Sequence, residues 1–80
     1  STDWNVFPNP ATDMVNITST FNQAATIEIL DVTGKQVKFE NIAAGNASVQ
    51  IDDLVEGVYL YQIKTLKGEI ARTGKLMVNP

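Results

Sequence analysis

Apolar and polar residues alternate with period two through most of the chain, and the pattern is strongest after Leu54. From Val58 to Ile63 the residues are β-branched, aromatic or aliphatic, the composition of a strand. Tyr59, Tyr61 and Ile63 share one face, and Val58, Leu60 and Gln62 share the other. With both faces largely apolar, the stretch is predicted to be a central strand covered on both sides. Gly57, just before it, is expected to supply the positive φ of a tight bend after Leu54-Val55-Glu56.

The same period marks weaker elements on either side. Trp4 to Phe7 reads as a short strand, stopped by Pro8-Asn9-Pro10, where each proline lacks an amide donor and pushes its predecessor toward extended geometry. Met14 to Thr20 and Ala25 to Val32 are the next predicted strands, with Phe21 anchoring the turn between them. Asp31-Val32-Thr33-Gly34-Lys35 reads as a hairpin with a left-handed glycine, and Gln36 to Ile42 as its returning strand. Ser48 to Asp52 follows a loop of small residues. Leu66-Lys67-Gly68-Glu69 then turns the chain into a last strand, Ile70 to Val78, expected to bend near Thr73-Gly74. No stretch of useful length has a helical period. Seven short strands between turn signals predict an all-β fold, an immunoglobulin-like antiparallel β-sandwich. Leu54-x-x-Gly57-x-Tyr59 also has the form of a tyrosine corner, in which the hydroxyl bonds back to upstream backbone.

Composition narrows the function classes. Eighty residues, 44% hydrophobic and 19% charged, suit one domain with one core and no large enclosed site. The net charge is −3 and the six Lys and Arg residues are scattered, so no basic stripe invites nucleic acid or anionic lipid. There is no cysteine and no histidine, which removes thiol nucleophiles, zinc-thiolate sites and the usual serine and histidine arrangement. Asp52, Asp53 and Glu56 lie together but lack calcium-loop spacing and read as a solvated turn. Nothing points to an enzyme, a cofactor or a small-molecule substrate. The chain does not begin with methionine and is read as part of a longer precursor, with residues 1–5 the end of a linker and 6–80 the domain.

Four motifs occur in a recognisable order: Phe7-Pro8-Asn9-Pro10-Ala11, Ile27-x-Ile29-x-Asp31-x-x-Gly34-Lys35, Leu54-x-x-Gly57-Val58-Tyr59 and Gly74-Lys75-Leu76-Met77-Val78. Together they resemble the type A C-terminal sorting domain of the bacterial type IX (Por) secretion system. The resemblance implies a non-catalytic signal that carries a fused N-terminal cargo through the periplasm and the outer-membrane translocon to the cell surface or medium. It also implies a surface sortase that removes the domain just upstream of its start. Carried over by position, the recognition elements are Gly57, Val58 and Tyr59 in an internal box and Gly74, Lys75, Leu76, Met77 and Val78 in a terminal box. The chain finishes Val78-Asn79-Pro80, where such domains commonly place a basic residue.

Each of these residues also has a plainer reading. Gly57 serves a turn, Tyr59 a core or corner, Lys75 an edge that discourages sheet-to-sheet pairing, and Pro8 and Pro10 a rigid bend. A rival function is a carbohydrate-binding or spacer sandwich of a secreted hydrolase, with Trp4, Tyr59 and Tyr61 as the sugar-stacking rings. If the domain is a sorting signal read in its folded state, exposed strand edges and the terminal strand are the expected points of contact, through strand addition.

Overall fold

The structure is a computed structural model that describes residues 3–79; Ser1, Thr2 and Pro80, at the ends of the expected linker and tail, lie outside the described residues. Seven strands form: β1 (Trp4–Phe7), β2 (Met14–Ser19), β3 (Ala25–Leu30), β4 (Gln36–Ile42), β5 (Asn46–Gln50), β6 (Gly57–Thr65) and β7 (Ile70–Val78). No helix occurs among the described residues. The strands make two antiparallel sheets packed as a sandwich, one in the order β1-β2-β5 and the other β4-β3-β6-β7. The expected all-β sandwich of seven strands is therefore what the chain adopts.

Period two decides which side chains meet between the sheets. Val15 and Ile17 of β2 and Val49 of β5 face Ile27 and Ile29 of β3, Tyr61 and Ile63 of β6 and Leu76 of β7, all buried. Trp4 closes one end of this core against Phe21, with ring centroids 5.5 Å apart, so the aromatic expected to anchor that turn does so. No side-chain oxygen or nitrogen is stranded in this interior among the described residues. Such a core stabilises chiefly through apolar area removed from water, at about 25 cal/mol per Å².

The turns follow their sequence signals. At the β3–β4 hairpin the Asp31 carboxylate accepts from the Thr33 amide (2.9 Å), the Thr33 hydroxyl (2.6 Å) and the Lys35 amide (3.0 Å), and Gly34 takes φ 88°. The Thr33 hydroxyl is the main reason the Asp31 carboxyl is held below the ordinary carboxylate value, and the Lys35 amide adds to it. The tyrosine corner is present: the Tyr59 hydroxyl donates to the Val55 carbonyl. Asp53, in the acidic turn, pairs with Lys38 at 3.1 Å. No group of residues that could hold a metal ion occurs among the described residues.

Three expectations need correction. β6 is central, paired with β3 and β7, yet its second face is open to water: Val58 is 39% and Leu60 49% exposed. Gly57 has the expected positive φ, 158°, but it already pairs with Val78 at the start of β6, so the bend itself lies upstream in residues 52–56. The irregularity in β7 is not at Thr73-Gly74 but where the register shifts between Arg72 and Ile70, opposite Ile63 and Lys64.

Candidate recognition surface

The internal and terminal boxes, far apart in sequence, come together as one antiparallel ribbon. Gly57 lies opposite Val78, Val58 opposite Met77, Tyr59 opposite Leu76, Leu60 opposite Lys75 and Tyr61 opposite Gly74. Alternation then divides them. Tyr59, Leu76 and Val78 point into the core, whereas Val58, Lys75 and Met77 point out, Met77 being 42% exposed.

Gly74 belongs with the inward set for a reason the sequence does not announce. A Cβ built there would lie 2.5 Å from the Tyr61 hydroxyl oxygen and 2.6 and 2.7 Å from two ring carbons. The Tyr61 ring crosses the backbone at Gly74, a place only glycine leaves free. Sequence reading located the glycine and missed its partner. The cross-strand register is the signal that joins them, because Tyr61 and Gly74 are direct opposites.

The outward set is extended by Leu60, which sequence reading had assigned to a covered face. Leu30, Leu60 and Lys75 form one row across β3, β6 and β7, and Val58 and Met77 form the next. Leu30, Leu60 and Lys75 border a shallow depression of about 480 Å³ that Gln62 and Thr73 also line. Phe39, on β4 beyond Glu28, is exposed on this same sheet. The outer face of the larger sheet is thus an apolar strip carrying the Lys75 ammonium. Exposed contiguous apolar area of this kind marks contact surfaces more often than isolated surface hydrophobics do.

Pro8, Asn9 and Pro10 have a role beyond bending the chain. The Asn9 side-chain amide donates to the Lys75 carbonyl (2.8 Å) and accepts from the Met77 amide (3.0 Å). The Ala11 amide donates to the Met77 carbonyl and Ala11's own carbonyl accepts from the Asn79 amide, both at 2.8 Å. These are two successive rungs of a parallel ladder on the outer edge of β7, and Ala11 and Val78 form a parallel bridge. At the rung before Ala11 the Asn9 side chain, rather than its backbone, meets β7. The terminal strand edge, expected to be open for strand addition, is therefore capped from Lys75 to Asn79.

The rings proposed for sugar stacking are not available: Trp4, Tyr59 and Tyr61 are all buried in the core. That version of a carbohydrate platform is removed by the structure.

No curated protein matches this chain. The profile of the secretion system C-terminal sorting domain matches residues 5–79, which takes in all seven strands apart from the first residue of β1, the proline turn and both boxes. An all-β sandwich with the two boxes joined as one ribbon, matched over nearly its whole length, belongs to the family of secretion system C-terminal sorting domains, the signals of type IX secretion.

Proposed function

We propose that this domain is a non-catalytic signal whose folded surface is read by the type IX outer-membrane translocon, and that the reading surface is the outer face of the β6–β7 ribbon. The observation that carries this is the joining of the two boxes: their outward residues, Val58, Lys75 and Met77, are contiguous and flank Leu60. The inward residues Gly57, Tyr59, Gly74, Leu76 and Val78 support the reading indirectly, by fixing the ribbon that presents the others. A partner suited to this face has an apolar strip and an acidic or carbonyl group placed for the Lys75 ammonium.

In this reading a fused cargo precedes β1, travels through the periplasm with the domain, and is delivered to the outer surface or the medium. A surface sortase then cuts upstream of the domain. Lack of histidine and cysteine supports a signal rather than a catalyst. The test is export of a fluorescent protein fused ahead of residues 1–80, in a host with type IX secretion and in its translocon-deficient mutant. Leu60→Glu with Met77→Glu should abolish translocon-dependent export while circular dichroism and melting remain those of a folded domain. Normal export of the folded double variant would place recognition elsewhere.

A further inference from the structure

We infer that the outer edge of β7 is a strand-accepting site whose present occupant, Asn9 to Ala11, is exchanged for an extended segment of the partner that runs parallel to β7. This rests on the reading of the domain as a sorting signal and adds the mode of contact. The occupant itself shows what the edge accepts. It satisfies the Lys75 carbonyl, the Met77 amide and carbonyl and the Asn79 amide, and it does so in parallel. Its hold is partial. By alternation the next outward-facing residue is Thr73, which is exposed and which none of these bonds reaches. A partner strand can therefore pair first at Thr73 and then displace Asn9, whose bonds come from an exposed side chain rather than from backbone. The position over Val78 admits only a small residue, because Ala11 there is fully buried. The incoming segment thus needs an extended backbone with free amides and an Ala, Gly or Ser at that position. At the Asn9 position an incoming backbone offers the amide and carbonyl that the native occupant replaces with an exposed side chain, which makes the occupant the weaker competitor there.

Hydrogen exchange on residues 1–80 tests whether the cap is separable from the fold. In Asn9→Ala the Met77 amide should exchange about tenfold faster, the worth of one hydrogen bond, while the Leu76 amide, which faces β6, is unchanged. In Asn9→Asp the Met77 amide should stay protected, because a carboxylate still accepts from it. Equal exchange of Met77 in the wild type and Asn9→Ala overturns the inference. The second measurement locks the edge. Neighbouring strands lie about 4.8 Å apart and disulfides span Cα separations of about 4.4–6.8 Å, so Ala11→Cys with Val78→Cys can close a bond across the bridge in a chain with no other cysteine. The locked domain should be retained in the periplasm and should recover export when a thiol reductant is supplied, whereas an Asn5→Cys, Thr18→Cys lock between β1 and β2 should not block export. Export of the locked domain at the wild-type level refutes strand exchange. Failure of the wild-type domain itself to be exported would instead refute the sorting reading.

Discussion

Gly74→Ala tests whether a residue of the terminal box acts through packing. The added methyl would meet three Tyr61 atoms at 2.5 to 2.7 Å, so the ring must retreat by about 1 Å to reach ordinary carbon contact of about 3.5 Å. Tyr61 is itself buried, so the movement disturbs its neighbours and not only water. Overpacking of this kind costs about 1–3 kcal/mol, and the lost freedom of the unfolded glycine returns about 0.5–1, leaving about 1–2 kcal/mol of destabilisation. For a domain this small that is a fall in Tm of about 5–15 °C by calorimetry or circular dichroism. A double-mutant cycle isolates the cause. Tyr61→Phe should not rescue, since the two ring carbons remain in the way, whereas in a Tyr61→Leu background Gly74→Ala should cost nothing further or stabilise slightly. If Gly74→Ala is as costly with leucine at position 61 as with tyrosine, the ring is not what excludes a side chain there.

Two other perturbations read the turns. Tyr59→Phe removes the bond to the Val55 carbonyl and should lower stability by about 1 kcal/mol, measured by urea denaturation, while a fused cargo is still exported at temperatures where the domain is folded. Asp31→Ala tests the β3–β4 hairpin through pH. Because the folded carboxyl is held below its ordinary 3.8, its contribution is fully present above that value and is lost as pH falls through the lower folded value. The wild-type and Asp31→Ala melting temperatures should therefore differ most above the carboxylate range and converge in stronger acid; a difference that grows as pH falls would contradict the hydrogen bonding described for Asp31.

Much of the sandwich was legible because period two is a direct imprint of the pleat. β6, the β3–β4 hairpin with Gly34 and the Tyr59 corner all follow from local signals. Boundaries were less legible. β5 begins at Asn46 rather than Ser48, since Gly45 at φ 86° completes the turn and lets pairing with β2 start at once. Two features of the recognition region could not be read locally at all. The Asn9 bonds span 66 and 68 residues, and no neighbouring residue encodes them. The apolar outer face of β6 predicts a covering layer that is not there, because a sequence shows that a side chain is apolar and not what lies against it. In the function proposed above, the same pattern on an uncovered face serves contact with the translocon.

The terminal box Gly74-Lys75-Leu76-Met77-Val78 carries two sets of instructions interleaved at period two. Gly74, Leu76 and Val78 answer to the core, where Leu76 is 1% exposed, and Lys75 and Met77 answer to the outside. A scan of the box should consequently separate stability from export. Leu76→Ala should cost about 2–5 kcal/mol by cavity formation, against a total of about 4–12 kcal/mol for a chain of this length, and should impair export through unfolding. Met77→Ala should cost much less, about 1 kcal/mol or below, because the residue is 42% exposed and leaves no enclosed cavity, and should still reduce export. Lys75→Ala should behave as Met77→Ala does. Export measured alone would show every position to matter and would suggest one continuous linear signal. Export measured beside melting temperature should show the effects alternating along the strand, and an even loss of stability across all five positions would mean that the box is structural throughout and that the partner reads some other surface.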